Sequence, residues 1–308
     1  MNVLRGILLK IASVAVFTVM AAIIKAVAET VPAGQTVFFR SIFAVPVILV
    51  WLHLRHETLR EGLSTRNPMG HLWRGLVGTT AMALGFAALG LLPLPEVTAI
   101  GFAAPLLSVI LAAMFLGEEV RLFRLTAVAM DLVGVGIVLW PRLTTIQSGT
   151  MTEAETLGAV IVLVSALFVA LAQVFIRKLV QTERTSAITF WFSITASVLS
   201  LATIPFGWVL PDAKTFVLLV LCGFLGGLGQ ILMTSAYRFA PTAVIAPFDY
   251  TAMLFALVLG YGLFGEVPTL SMLGGSAIIV VAGLFIIWRE SMLGLERKAQ
   301  RRTTTPQG

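Results

Sequence analysis

The chain has 308 residues, 58% of them apolar and 12% charged, against roughly 45–50% apolar and 25% charged in soluble domains. At about 20 apolar residues per bilayer crossing, that length holds on the order of ten crossings with short connections and excludes a large water-soluble domain. Cys222 is the single cysteine, which rules out an intrachain disulfide framework, a CxxC redox pair and a multi-thiolate zinc site.

Apolar runs bounded by charge, proline or glycine predict helices over 4–27, 34–54, 71–91, 95–116, 124–141, 156–176, 186–206, 213–236, 241–264 and 269–289. The first run has the look of a signal peptide, with Arg5 and Lys10 ahead of Ala26-Val27-Ala28. Another span follows it directly, so it is read as the first helix. Ten spans place both termini on one side. With the N-terminus inside, 17 of the 21 basic residues fall on the cytoplasmic side, Arg5, Lys10, Arg74 and Arg177 among them. Lys25, Arg142 and Lys214 fall opposite and Arg40 lies within a span, a distribution that the positive-inside rule reads as both termini cytoplasmic. The net charge of +6 then reports orientation, and no nucleic-acid partner is expected. Trp51, Trp73, Trp140, Trp208 and Trp288 sit near predicted helix ends, as interfacial anchors do. Residues 291–308 read as a basic cytoplasmic tail.

A shift of 148 residues sets Gly75 on Gly223, Gly78 on Gly226, Pro93 on Pro241, Gly117 on Gly265, Glu118 on Glu266 and Trp140 on Trp288. Upstream, a shift of 152 sets Phe38 on Phe190, Phe39 on Trp191 and Ser41 on Ser193. The change of offset falls in the loop after the second helix, where added length costs little. Five spans per copy is an odd number, so the second copy enters from the opposite face. The expected fold is an all-α integral membrane protein of ten transmembrane helices in two inverted five-helix repeats, 1–148 and 149–290. Such repeats commonly underlie alternating access, with the substrate site near the midplane; a duplicated scaffold is the plainer alternative.

Pro93 to Trp140 and Pro241 to Trp288 each run from a proline turn through an apolar helix to Gly-Glu and then a glycine-bearing helix. This pattern resembles the EamA repeat of the drug/metabolite transporter superfamily. The resemblance implies ten helices, a bacterial inner-membrane location and carriage of small metabolites. Val37-Phe38-Phe39-Arg40-Ser41, the loop Arg66-Asn67-Pro68-Met69-Gly70-His71 with Trp73-Arg74-Gly75, and Leu91 to Glu96 are similar to alphaproteobacterial riboflavin importers of that group. Relatives of other substrate and direction exist, including S-adenosylmethionine uptake carriers and amino-acid exporters.

Ionisable groups within spans cost about 2.5–3.5 kcal/mol on insertion scales, so each is a site candidate until paired. Arg40 lies six residues past Gly34, roughly 9 Å along a helix; it suits a polar or anionic substrate group, or a tie to a neighbouring helix. Asp249, eight residues past Pro241 and so roughly 12 Å deep, sits between Phe248 and Tyr250 beside Pro247 and is the leading candidate. Gln173 and Gln230 suit substrate amides or hydroxyls, or bonds between helices. Phe102 and Trp191, with Phe248 and Tyr250, are aromatics at a depth where a planar ring stacks, although packing is the commoner role of such rings. Lys25 snorkels or binds, Asp131 pairs with cytoplasmic arginines or takes part in transport, and Glu96 caps a helix start. Pro105 and Pro247 interrupt their helices, freeing carbonyls that line cavities or act as hinges.

No HExxH, GxSxG or Walker-type motif occurs, and His53, His56 and His71 cluster at one loop, so neither an enzyme nor a directly ATP-coupled pump is expected, and no cofactor or metal. The sparse intramembrane charge favours a neutral planar substrate, riboflavin, over cationic S-adenosylmethionine; export of amino acids or other metabolites, and a channel, are the remaining alternatives. The oligomeric state stays open, a homodimer included. Asp249→Ala is expected to impair uptake while leaving the chain folded in the membrane, checked by labelled uptake alongside membrane expression.

Overall fold

The computed structural model describes residues 3–116 and 153–303, with isolated helical positions between 126 and 140. Among the described residues the chain is helical and without strands. In order come α1 (Val3–Val27), α2 (Ala33–Ile42), α3 (Ala44–Leu54), α4 (Leu59–Leu63), α5 (Pro68–Leu89), α6 (Leu94–Gly101) and α7 (Ala103–Leu116). They are followed by α8 (Glu153–Leu179), α9 (Thr185–Leu201), α10 (Ala213–Phe239), α11 (Thr242–Ile245), α12 (Thr251–Phe264) and α13 (Leu270–Thr303). Val3–Val27, Ala33–Leu54, Pro68–Leu89, Glu153–Leu179 and Ala213–Phe239 are long and apolar enough to cross a membrane, and Thr185–Leu201, Phe248–Phe264 and Leu270–Ala282 are shorter apolar helices. Every predicted run except 124–141 coincides with described helix. That run, with Asp131, lies largely outside the described residues, as do Gly117 and Glu118. The last helix runs on to Thr303 instead of stopping near residue 289.

Prolines set the interruptions. A proline withholds the N–H that would bond the carbonyl four residues back. α2 ends at Ile42, four residues before Pro46, and α6 ends at Gly101, four residues before Pro105. Pro247 falls within a 3₁₀ segment, Ala246–Tyr250, that separates α11 from α12. Helix starts follow local rules too: the Asn67 side chain accepts from the Gly70 N–H at 2.9 Å ahead of Pro68 at the first helical position, and Asp212 accepts from the Thr215 N–H at 2.9 Å. Asp212 lies outside the spans, and the hydrogen bonds from Thr215 hold its carboxyl below the usual carboxylate range.

The outside of the bundle is apolar: Leu163, Leu167, Val217, Leu228, Val258 and Val281 are all exposed, a surface suited to lipid and unlike that of a soluble monomer. Between helices, lipid removes the hydrophobic drive, so close approach through small residues holds the bundle together. α1 packs along α10, where a Cβ on Gly6 would meet the Cβ of Ala240 at 3.0 Å. α10 also presses on α2 and α3; a Cβ on Gly227 would come within 2.9 Å of the Ala44 carbonyl oxygen. α5 packs on α9 in the same manner, with Gly75 facing Thr195. On the loop side, buried Glu183 accepts from the backbone N–H groups of Arg66 and Asn67 at 2.8 and 2.9 Å and from Thr65 Oγ1 at 3.1 Å. His71 Nε2 stands 3.8 Å from the same carboxylate. The Arg66 to His71 loop is therefore fastened to the α8–α9 turn, which gives those residues a structural duty.

A methyl group on Gly223 would lie 2.2 Å from the Phe43 Cβ and 3.0 Å from the Phe39 carbonyl oxygen. Gly223→Ala must push α10 away from α2, and is expected to cost about 1–3 kcal/mol, read as a lower thermal midpoint of the detergent-solubilised protein.

Candidate functional site

A cavity of about 330 Å³ lies midway along the bundle, walled by α1, α2, α5, α8, α9, α10 and the 3₁₀ segment before α12. Its lining combines apolar side chains, among them Phe17, Phe86 and Phe192, with a small polar set: Lys10, Arg40, Arg74, Gln173, Gln230 and Asp249. A second, smaller void of about 40 Å³ lies near the Lys25 end of α1, lined by Ile24, Val31, Thr36 and Gly90, and Phe86 borders both spaces.

Four of the candidates named from the sequence meet at the central cavity: Arg40, Gln173, Gln230 and Asp249. The other four do not line it. Phe102 and Tyr250 pack on one another edge-on, with ring centroids 5.3 Å apart, in a core cluster with Ala99, Met253 and Met272. Trp191 donates its indole N–H to the Leu63 carbonyl at 2.9 Å, tying α9 to the end of α4. Phe248 is partly buried in the 3₁₀ segment.

Two cavity cations were assigned to the cytoplasmic side by their place in the sequence. Lys10 is 1% exposed and its Nζ lies 2.8 Å from Asp249 Oδ1. Arg74, 3% exposed, sends its Nη2 toward Gln230 Oε1 at 3.5 Å. Their burial corrects the premise of sparse intramembrane charge, and with it the reason for favouring a neutral substrate. Arg40, 1% exposed, donates from Nη2 to the Gly226 carbonyl at 3.2 Å. Phe192 serves both guanidinium groups, with Cζ to ring-centroid distances of 5.3 Å for Arg40 and 4.0 Å for Arg74, within cation–π range.

Glycines make these positions available. A Cβ on Gly226 would fall 2.7 Å from Arg40 Nε, and one on Gly78 would fall 1.9 Å from Arg74 Nη1 and 2.9 Å from the Phe192 ring. Each guanidinium lies over the bare face of a helix, so the two glycines shape the polar wall as well as helix packing. Gly229 leaves comparable room for Phe17, whose ring a Cβ would meet at 2.6 Å.

Farther along α1, Lys25 Nζ bonds Glu266 Oε1 at 3.0 Å and donates to the Leu92 carbonyl at 2.9 Å. Glu266 Oε2 accepts from the Leu94 N–H at 3.2 Å. This cluster joins α1, the residue after the α12 cap and the α5–α6 turn. Lys25 is thus paired, and its reach to the Leu92 backbone makes it a fastening.

A bundle with a lipid-compatible surface and a charged central cavity suits a multi-pass membrane transporter of small solutes. The chain belongs to the EamA-like transporter family, which matches residues 4–140 and 156–289. It is 29% identical over 281 residues to the pseudopaline exporter CntI of Pseudomonas aeruginosa, covering 90% of this chain and 94% of that protein. It is also 27% identical over 256 residues to an S-adenosylmethionine uptake transporter of Rickettsia felis, covering 83% of each. A crystal structure with 19% sequence identity superposes with a TM-score of 0.70, covering 94% of this chain and 98% of that one, and shares the fold. These relatives are transporters, not enzymes, and the chain is a small-molecule transporter of the same family.

Removing one member of the Lys10–Asp249 pair strands the other in the bundle, so Asp249→Ala is expected to cost stability as well as uptake. Lys10→Met and Asp249→Leu are each expected to cost about 3–5 kcal/mol, with the double variant recovering most of the loss. Thermal midpoints of the four proteins in detergent check this.

Proposed function

We propose that the chain is a secondary carrier that works by alternating access, with residues 1–148 and 149–290 as inverted five-helix repeats and the substrate held in the central cavity. The observation that carries this reading is that both halves furnish the polar wall: Lys10, Arg40 and Arg74 from one, Gln173, Gln230 and Asp249 from the other.

Contacts at the repeat offsets support the inversion. Gly75 faces Thr195 as Gly223 faces Phe43, and Gly78 faces Phe192 as Gly226 faces Arg40. The glycines are 148 residues apart and their partners 152 apart, the same two offsets as in the sequence. Phe102 and Tyr250, also 148 apart, touch each other, which suits a pseudo-twofold axis running between them. In the bacterial inner membrane we place both termini in the cytoplasm. With Lys10 and Arg74 counted to the cavity, 17 − 2 = 15 basic residues still lie on that side.

Three substrates enter consideration: riboflavin from the sequence resemblance, and S-adenosylmethionine and pseudopaline from the names of relatives. The arginines and Asp249 match the carboxylate and ammonium of S-adenosylmethionine, groups that neutral riboflavin lacks, and this local match rather than the molecule's overall positive charge favours it. Protein in proteoliposomes is expected to take up labelled S-adenosylmethionine with saturation, and unlabelled S-adenosylmethionine is expected to compete better than riboflavin. Flux that rises without saturation would identify a channel, and stronger competition by riboflavin would reverse the substrate order.

A further inference from the structure

The cavity holds three cations, Lys10, Arg40 and Arg74, and one carboxylate, Asp249. Lys10 and Asp249 neutralise each other at 2.8 Å. That leaves the two arginines, and among the described residues no carboxylate lies within ion-pair distance of either.

Their donors are also incompletely used. Arg40 commits Nη2 to the Gly226 carbonyl, and Arg74 commits Nη2 to a long bond with Gln230. Nε and Nη1 of both side chains are buried without a hydrogen-bond partner. An arginine cannot shed its charge to escape such a site, and the π face of Phe192 offsets only part of the cost. Side chains that were purely structural ties would spend these donors on protein acceptors. Here two helices, α5 and α10, give up a side chain at Gly78 and Gly226 so that the guanidinium groups lie at the cavity wall.

We propose that Arg40 and Arg74 together form an oxyanion site, and that the substrate carries a carboxylate or phosphate group that it presents to this pair. The inference rests on the cavity being the substrate site of the carrier and names the chemical class which that site selects. Two positive groups facing one cavity exceed the single charge of a carboxylate, so a phosphate or a second carboxylate is also accommodated. Asp249 Oδ2, buried and without a partner, faces such a ligand as an acceptor for an ammonium or hydroxyl donor. Guanidinium groups suit this task because their planar N–H array matches the oxygens of both oxyanions.

The test uses the full-length protein in nanodiscs, wild type against Arg40→Met and Arg74→Met. The first reading is the thermal midpoint in chloride, acetate and inorganic phosphate at equal ionic strength. The second is binding of two matched pairs, S-adenosylmethionine with its decarboxylated form and riboflavin 5′-phosphate with riboflavin. Each Met variant is expected to melt at or above the wild-type midpoint in chloride, because it removes an uncompensated buried charge. Oxyanion probes are expected to stabilise the wild type beyond chloride and to lose that effect in both variants. The member of a pair bearing the carboxylate or phosphate is expected to bind more tightly, by about 10- to 100-fold, with the advantage lost in the variants. A carboxylate site distinguishes itself by preferring acetate and S-adenosylmethionine, a phosphate site by preferring phosphate and riboflavin 5′-phosphate.

A lower midpoint of both Met variants in chloride, or equal responses of wild type and variants to every oxyanion, would assign the arginines a structural role and overturn the proposal. Saturable uptake of a neutral solute that survives both substitutions would overturn it too, while leaving the carrier reading intact. Oxyanion binding without saturable uptake of any probe would instead leave the site standing and remove the carrier reading.

Discussion

The structure depends on close approach between helices that carry charge in a medium of low dielectric. An arginine at mid-bundle is cut off from bulk water, so the protein must supply space and partners from its own backbone and rings. Gly226 gives Arg40 the space and a carbonyl acceptor at once, and Gly78 does the same sterically for Arg74 beside Phe192. A larger residue at either glycine would displace the guanidinium and separate the helices. Packing and site chemistry are therefore one constraint here, set by two positions with no side chain.

The same constraint explains why the bundle is broken where it is. α2 gives way to α3 at Phe43, α6 to α7 at Phe102, and the 3₁₀ segment Ala246–Tyr250 precedes α12. Each break follows from a proline that withholds an N–H, and each lies beside a residue that packs across the bundle: Phe43 on α10, Phe102 on Tyr250, Asp249 on Lys10. Regular helix through 246–250 would aim Asp249 differently; the 3₁₀ turn is part of what brings the carboxylate to α1.

The sequence made the helical runs, the proline breaks at 105 and 247, and four of the six polar-wall residues legible. Arg40, Gln173, Gln230 and Asp249 stood out because polar residues inside apolar runs are conspicuous. Lys10 and Arg74 were hidden by their position near helix starts. Lys10 is seven residues after Val3 and Arg74 six after Pro68, roughly as deep as Arg40, but at helix ends assigned to the cytoplasm, where the positive-inside rule already expects basic residues. The spacing Arg74 to Gly78 was the available signal, since residues four apart share a helix face and a glycine there opens room for a long side chain. Phe102, Trp191, Phe248 and Tyr250 were named for their depth, and the structure sets them off the cavity lining. Helices apolar all round carry little periodicity, so depth could be read but facing could not. Pro46 ends α2 as Pro105 ends α6, although 34–54 reads in sequence as one continuous apolar run.

The ion pairs of α1 bear on how such a bundle can move. Lys10 holds Asp249 just before α12, and Lys25 holds Glu266 just after it. The lysines are 15 residues apart, roughly 22 Å along α1, so α12 is fastened to α1 at two well-separated points. A rigid displacement of α12 must either carry α1 with it or break a buried or half-buried pair. Breaking the Lys10 pair leaves two charges in low dielectric, whereas Lys25 keeps the Leu92 carbonyl and Glu266 keeps the Leu94 N–H when they part. The Lys25 end is thus the cheaper one to part, and the Lys10 end the costlier. On the proposed carrier reading, a ligand whose own charges replaced those of Lys10 or Asp249 would lower the cost of parting that pair, at the same wall of the cavity that holds the arginines.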